Sequence, residues 1–149
     1  MLSQKAKYAL KALFQLATSP PGTMMLVADI AAKENAPKKF LELILLELKR
    51  DGIVYSLRGR NGGYALARPP GQVTVGQVVR LMDGPLAPIP CASLSAYRPC
   101  NDCKDEEFCP VRRVMREVRD AVAEILDNRT LADMTANAAL HGLIKVGVT

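Results

Sequence analysis

A glycine-rich segment at residues 58–63 (RGRNGG) places the strongest constraint on how this chain can fold. It separates two short runs, residues 53–57 and 64–67, whose composition favours extended structure. Glycine and asparagine tolerate the positive φ angles that tight hairpin loops require. The pattern therefore predicts an antiparallel β-hairpin. A nucleotide-binding glycine loop is rejected, because such a loop precedes a helix rather than a second strand.

Three amphipathic stretches precede the predicted hairpin. Apolar residues recur at three- and four-residue steps in residues 6–17, 26–34 and 40–48, which is the spacing of one helical face. Proline and glycine end the first stretch at residues 19–22, and Pro37 is well placed to begin the third helix. Three short helices followed by a basic-tipped hairpin predict a winged helix-turn-helix.

A long helix is predicted from Pro110, beyond a shorter helix that Thr74 can cap. Its apolar residues alternate steps of four and three, an average period of about 3.5 that is typical of coiled coils. This seam predicts a dimerisation helix, and packing against its own domain is the alternative. The seam residues are Val111, Met115, Val118, Val122 and Ile125. A further helix, capped by Thr130, is expected to follow.

The expected fold class is mainly α with a small β-hairpin wing, extended by a long dimerisation helix. We divide the chain into three parts on this basis. Residues 1–71 form the winged helix-turn-helix DNA-binding domain. Residues 72–109 hold a connecting helix and a cysteine-rich metal or cluster loop, and residues 110–149 hold the long helix and a C-terminal helix. The 149 residues, 49% of them hydrophobic, suffice for such a core without disulfides.

The charge of the chain is divided unevenly. Residues 1–71 carry eleven Lys or Arg against five Asp or Glu, a net charge of +6. Residues 72–149 carry nine against ten, a net charge of −1. A basic half suggests a polyanionic partner, since neutralising phosphates releases counterions, and charge that serves only solubility is the alternative. No apolar run reaches membrane-spanning length and no signal peptide is recognisable, so we expect a cytoplasmic protein without a membrane partner.

The predicted third helix would enter the DNA major groove with its N-terminal residues. Lys38 and Lys39 can meet phosphates or guanine edges, and Glu42 can accept a hydrogen bond from cytosine N4. A solvated helix start is the alternative for the lysines. The hairpin tip would lie along the minor groove, whose negative potential attracts arginine. The candidate DNA-binding residues of this wing are Arg58, Arg60, Asn61, Gly62 and Gly63, although the last three also suit the geometry of the turn.

All four cysteines lie within nineteen residues of a polar, proline-bearing loop, with the spacing C-x8-C-x2-C-x5-C. Such a loop orders itself poorly, and a bound metal would supply the order, since metal-binding free energy becomes folding free energy. Thiolates suit both zinc and iron–sulfur clusters, and the spacing leaves the two open. A thiol redox switch and unliganded cysteines are further alternatives. The candidate ligands are Cys91, Cys100, Cys103 and Cys109. The acidic residues of the loop, Asp102, Asp105, Glu106 and Glu107, are interpreted as a solvated stretch, and an oxygen ligand among them in another cluster form is the alternative.

Beyond these patterns, the sequence resembles the Rrf2 family of bacterial transcription regulators, whose members include IscR-, NsrR-, RirA- and CymR-like proteins. The resemblance covers nearly the whole chain, and its most specific segments are ADIA at residues 28–31, LRGRNGGY at residues 57–64 and VGQVV at residues 75–79. It implies a winged-helix dimer with a swapped long helix. In many members it also implies a [2Fe–2S] or [4Fe–4S] cluster whose state sets DNA affinity, whereas CymR-like members lack a cluster.

The resemblance also has implications for single residues. Cys91, Cys103 and Cys109 match the three cysteine ligands of the family, and Glu42 and Arg58 match positions that read DNA.

The fourth ligand is where this chain departs from the family. IscR-like members place a histidine three residues after the last cysteine, where this chain has Arg112. NsrR-like members recruit an acidic residue from the first helix, where this chain has Lys7. We hypothesise that the additional Cys100 completes an all-cysteine site. A further thiolate would lower the reduction potential of a cluster, and Arg112 with Arg113 would offset its charge.

Together these inferences predict a homodimeric regulator that binds double-stranded DNA at a palindromic operator and carries an iron–sulfur cluster. A zinc-stabilised or cluster-free regulator that responds to a partner protein or small ligand is the alternative. An enzyme is not expected. A thiol oxidoreductase using Cys100 and Cys103 would need a βαβ setting that this sequence does not have, and it would leave the winged helix unexplained.

Overall fold

The computed structural model describes residues 2–147, with side chains for residues 2–140. Three helices come first in the chain, and all three occur where the sequence predicts them. They are α1 (Gln4–Thr18), α2 (Val27–Glu34) and α3 (Lys38–Arg50).

Local capping residues set the ends of these helices. The Ser3 hydroxyl caps α1, because its oxygen accepts a hydrogen bond from a backbone N–H of the first turn at 3.0 Å. Asn35 ends α2 in the left-handed conformation, with φ 50°, which asparagine tolerates better than most residues. Pro37 immediately precedes α3, so the short turn between α2 and α3 is fixed at both sides.

The hairpin follows α3. Strand β1 (Val54–Leu57) pairs antiparallel with β2 (Gly63–Leu66), and the observed strand ends differ by at most one residue from the predicted ones. On its other side β2 meets the connection between α1 and α2. There Met25 and Tyr64 exchange two backbone hydrogen bonds of 2.8 and 2.9 Å. The wing is therefore tied to the helical core along its β2 edge.

Three more helices complete the chain: α4 (Val75–Asp83), α5 (Pro110–Asp127) and α6 (Leu131–Gly147). Thr74 and Gln77 form a reciprocal capping box at the start of α4, which confirms the predicted cap. The predicted start of the long helix at Pro110 is also confirmed.

One hydrophobic core joins the helices and the hairpin. Leu131, at the start of α6, is fully buried in it, so the C-terminal helix starts within the same core. The turn between α5 and α6 is held by two backbone hydrogen bonds, Val75 N–H to Arg129 C=O at 2.8 Å and Leu131 N–H to Val73 C=O at 3.0 Å. Other large side chains in the core include Leu13, Ile30, Leu41, Ile44, Leu45, Leu48 and Ile53.

The predicted fold class, mainly helical with one hairpin wing, is confirmed over residues 2–147. Within those residues, no helix combines the length and the apolar character that crossing a bilayer would require.

Candidate functional site

The outward face of α3 carries charged residues near its N-terminal end. Lys38, Lys39 and Glu42 are all exposed. Lys38 and Glu42, one turn apart, form a loose ion pair with 4.0 Å between Nζ and Oε1. An exposed pair of this kind contributes little to stability and separates easily. Both side chains are therefore available to a ligand that approaches this face.

The tip of the hairpin presents two arginines to solvent. Arg58 and Arg60 are exposed, and neither forms an ion pair with any residue whose side chain the structure describes. Asn61 is exposed beside them. Gly62 is buried, where a Cβ would collide with a backbone oxygen of β1, and Gly63 has φ +135°. Turn geometry accounts for Gly62, and the close approach of the Met25 backbone accounts for Gly63. Contact of the wing with DNA stays a prediction.

All four cysteines line one pocket of about 260 Å³ beside the start of α5. Cys91 is buried in a short 3-10 turn, Pro90–Ala92. Cys103 and Cys109 are half-buried, whereas Cys100 is exposed. The fold thus gathers four side chains that the sequence distributes over nineteen residues.

Neighbouring groups change the acidity of two of these thiols. The backbone N–H of Arg112, assisted by that of Val111, lowers the pKa of the Cys109 thiol, since a helix N-terminus favours negative charge. Desolvation within the pocket raises the pKa of the Cys103 thiol. Each of the two thiols also shifts the pKa of the other: Cys109 raises that of Cys103, and Cys103 lowers that of Cys109. Cys109 is therefore the first of this pair to become a thiolate.

The donor set of the pocket consists of four thiols together with the carboxylates of Asp102 and Glu106. Within the part of the chain that the structure describes, no three His, Cys, Asp or Glu side chains converge closely enough to hold a single metal ion. Thiols arranged around a pocket of this size suit a group larger than one ion, as an iron–sulfur cluster is, because thiolates ligate a cluster from several sides. The ligand roles of the four cysteines, and the choice between cluster and zinc, stay predictions.

Two arginines of α5 hold the first part of the cysteine loop. Arg112 Nε donates a hydrogen bond to the Cys91 C=O at 2.9 Å. The buried Arg119 donates through Nη1 to the Ala92 C=O at 2.5 Å and pairs with Asp120 at 2.7 Å. Arg112 and Arg119 lie seven residues apart, on one face of α5, so they fasten two consecutive carbonyls of the loop along the helix. This pair of contacts was not predicted from the sequence, because no spacing rule connects residues so far apart in the chain.

Glu106 organises the remainder of the loop. Its carboxylate accepts a hydrogen bond from the Cys100 backbone N–H at 2.9 Å and another from the Tyr97 hydroxyl. Both bonds, that from Tyr97 first, lower the pKa of Glu106, and the same contact raises the pKa of Tyr97. The interpretation of the acidic residues as a solvated stretch is therefore wrong for Glu106, which is half-buried and bonded within the loop.

An apolar stripe on α5 is only partly covered. Among the predicted seam residues, Val111, Val118 and Ile125 are 60%, 40% and 60% exposed, whereas Met115 and Val122 are half-buried. Val114, which is not one of the predicted seam residues, is exposed beside them. The predicted role of this stripe in dimerisation is not tested by a single chain and stays a prediction.

Comparison with known proteins relates this chain to transcription regulators. The Rrf2 family, described as an iron-dependent transcriptional regulator, matches residues 2–137. An rrf2-like HTH-type transcriptional regulator of Rhodobacter capsulatus is 48% identical over 141 residues, which cover 91% of this chain and 93% of the relative.

Solved structures share the fold. CymR, the global cysteine regulator of B. subtilis, superposes with a TM-score of 0.76 at 29% identity, over 92% of this chain and 97% of that one. IscR of T. potens superposes with a TM-score of 0.74 at 29% identity, over 93% of this chain and 88% of that one. The predicted resemblance and the winged helix-turn-helix are thereby confirmed.

Proposed function

Because this chain belongs to the Rrf2 family of transcriptional regulators, we propose that it is a dimeric DNA-binding regulator whose DNA affinity is set by a cysteine-ligated iron–sulfur cluster. The observation that carries the proposal is a single pocket, lined by all four cysteines and fastened to α5. The relatives are regulators rather than enzymes, and we place the action of this regulator on DNA in the cytoplasm.

The proposed DNA contacts lie on α3 and the wing. The N-terminal turn of α3 enters the major groove, where Lys38 and Lys39 contact phosphates or guanine edges and Glu42 accepts from cytosine N4. Arg58 and Arg60 follow the minor groove and its phosphates. Support comes from the exposure of all five side chains and from the absence of ion pairs to Arg58 and Arg60 among the described residues.

Cys91, Cys103 and Cys109 would hold a [2Fe–2S] or [4Fe–4S] cluster, with Cys100 as the fourth ligand. When bound, such a cluster supplies a centre whose redox state or loss reports oxidants, nitric oxide or iron supply. Arg112 occupies the position of the familiar histidine ligand, but a guanidinium stays protonated and offers no lone pair to a metal. Its Nε instead donates to the Cys91 carbonyl, and Cys100 is the remaining thiol of this pocket, beside the carboxylates of Asp102 and Glu106.

The pocket is mechanically connected to α5. Arg112 and Arg119 attach the Cys91 segment to this helix, and Cys109 directly precedes its first turn. Ordering the pocket therefore orders the N-terminal half of α5. In a dimer paired through the apolar stripe of α5, this ordering of α5 would alter the spacing between the two winged domains. The two recognition helices must lie about one turn of DNA apart on a palindromic operator, so small changes of spacing alter affinity.

A zinc-stabilised or cluster-free regulator is the second candidate. One observation favours its cluster-free form: the chain is structurally similar to the cysteine regulator CymR. In that case the cysteine loop would respond to a small ligand or a partner protein, while the DNA-binding surface would be the same.

Anaerobic purification of the full chain tests the proposal. We expect brown protein that contains iron and sulfide rather than zinc. A duplex recovered by binding from a randomised library then serves as the probe, and its affinity is measured before and after removal of the cluster. We expect the DNA affinities of the cluster-bound and cluster-free forms to differ by about tenfold or more. Colourless, iron-free protein would refute the cluster, and equal affinities of the two forms would refute the coupling.

Substitutions in the same loop make the test specific. Cys103→Ser is expected to prevent cluster loading, and Cys100→Ala to change the spectrum by removing the fourth ligand. Ser95→Ala is the matched control, because Ser95 is exposed in the same loop but does not line the pocket. Cluster loading and spectra of Cys100→Ala that equal those of the wild type would refute the assignment of Cys100.

A further inference from the structure

Two leucines on α3 face solvent. The inner face of this helix buries Leu41, Ile44, Leu45 and Leu48. Leu43 and Leu46, which lie between them in sequence, are 62% and 38% exposed. A single exposed leucine is ordinary, but two that are three residues apart are neighbours on one helix face and form an apolar patch. Nothing in the described chain covers this patch.

Basic residues flank the patch at both ends. Lys39 precedes Leu43 by four residues and Arg50 follows Leu46 by four, so the four side chains form one row along the outward face of α3. Neither Lys39 nor Arg50 takes part in an ion pair with any side chain that the structure describes. A surface with cationic ends and an apolar middle matches the DNA major groove, in which phosphates border the base edges.

We infer that Leu43 is a specificity-determining residue that contacts the C5-methyl group of a thymine, with Leu46 supporting it from the next turn. This inference rests on the proposed docking of α3 in the major groove. The thymine methyl is the apolar group that base edges display there, and apolar side chains recognise it. Leu43 follows Glu42 directly and lies in the N-terminal half of α3, the half of a recognition helix that reaches base edges.

The contact predicts a specific sequence preference. Glu42 favours a cytosine, and Leu43 favours an A·T pair next to it. Because the methyl contact is apolar, its loss should change affinity by an amount that depends little on salt, unlike the loss of a phosphate contact.

Replacing thymine by deoxyuridine, which lacks only the methyl group, tests the inference. Duplexes that bind the full chain are first selected from a randomised library, and each thymine is then replaced in turn. At one or two positions the wild type should lose roughly fourfold in affinity, the value of one buried methyl group. Leu43→Ala should bind the thymine duplex more weakly than the wild type does. The variant should bind the thymine and deoxyuridine duplexes with equal affinity. Leu43→Met should restore the discrimination, because it keeps an apolar side chain of similar size.

Leu140→Ala is the matched control, since Leu140 is 57% exposed on α6 and lies outside the proposed DNA surface. It should discriminate between the thymine and deoxyuridine duplexes as the wild type does.

A wild type that binds selected duplexes but ignores the methyl group at every thymine would overturn the inference and leave the proposed function intact. Discrimination that survives in Leu43→Ala would overturn the assignment to Leu43. Recovery of no duplex at all would overturn the proposed function itself, and a Leu43→Ala variant that changes only self-association would identify the patch as a contact between copies.

Discussion

At Gly63 the backbone of β2 passes so close to Met25 that no side chain fits. A Cβ at this position would collide with the Met25 carbonyl, and φ is +135°, a conformation that L side chains rarely adopt. The close approach is what allows Tyr64 and Met25 to exchange two backbone hydrogen bonds. The attachment of the wing to the core therefore depends on a glycine at this position.

We expect Gly63→Ala to lower the free energy of unfolding by about 1–3 kcal/mol, because strain and collision both act on the folded state. Urea unfolding followed by circular dichroism measures the change. Gly71→Ala is the matched control, since a Cβ there would meet no atom within 4 Å and no positive φ is required. It should change stability by less than about 0.5 kcal/mol. Equal losses at both positions would contradict the argument.

Among the elements, α5 and the turn that holds Cys91 are joined through the buried guanidinium of Arg119. We expect Arg119→Met to cost about 1–3 kcal/mol, because it leaves the Ala92 carbonyl without its donor. Amide hydrogen exchange in residues 91–94 should also become faster. Arg116→Met, at an exposed position of the same helix, is the control and should leave both quantities nearly unchanged. Unchanged exchange in Arg119→Met would contradict this role of the Arg119 side chain.

A second connection joins α4 to the end of α5. Arg80 donates two hydrogen bonds to the carboxylate of Asp127, at 2.5 and 2.9 Å, and thereby lowers the pKa of Asp127. The side chains of Arg80 and Asp127 are 42% and 41% exposed, so solvent screens the pair and its contribution should not exceed about 1 kcal/mol.

The lowered pKa of Asp127 determines how this contribution depends on pH. It is fully present above the unfolded-state pKa, about 3.9, and is lost as the pH falls through the lower folded-state pKa. The wild type should thus be more stable than Asp127→Asn at pH 7, and the difference should shrink as the pH falls below about 4. Urea unfolding across this range measures it, with Asp29→Asn as the control at an exposed aspartate. A difference that grows on acidification would contradict the assignment.

Elements with local signals were predictable from the sequence. The capping box of Thr74 and Gln77, the helix start at Pro110 and the hairpin at residues 58–63 each depend on residues that are close in the chain. Their energetics are local, so composition and spacing carry the information. The same holds for the concentration of cysteines in one loop, which indicated the pocket.

Contacts between distant residues were not predictable in this way. Periodicity identifies which face of a helix is buried, but not which neighbour covers it. The bond from Arg119 to Ala92, the bridge between Met25 and Tyr64 and the role of Glu106 all depend on the packed arrangement of elements. Composition alone also placed Glu106 among solvated acidic residues. Its hydrogen bonds from the Tyr97 hydroxyl and the Cys100 backbone N–H form only once the loop has folded around it.

At the scale of the whole molecule, two kinds of surface occupy different elements. The exposed basic residues of α3 and the wing belong to residues 1–71, which hold the positive charge. The exposed apolar residues of α5 belong to the other part of the chain, which has a net charge of −1. Self-association through α5 would bring two basic surfaces into one particle.

Because the apolar residues of α5 and the basic residues of α3 and the wing lie on different elements, dimerisation can be tested without changing the proposed DNA contacts. We expect the wild type to sediment at twice the mass of one 16.2 kDa chain, and Val118→Lys/Ile125→Lys to sediment as a monomer. Both residues are exposed in the single chain, so the variant should keep its fold. Its affinity for a palindromic duplex should fall by about 100-fold or more, because two linked half-sites then bind independently.

The positive charge of the added lysines shows whether a fall in DNA affinity comes from lost dimerisation or from a direct effect of charge on DNA binding. Two extra lysines would strengthen attraction to DNA, so a weaker complex can only reflect loss of pairing. Leu94→Lys/Leu140→Lys adds the same charge at positions that are 82% and 57% exposed outside α5, and it should remain dimeric with equal or higher affinity. A wild type that is monomeric at all concentrations, or a Val118→Lys/Ile125→Lys variant that still forms dimers, would place the self-association surface elsewhere than on α5.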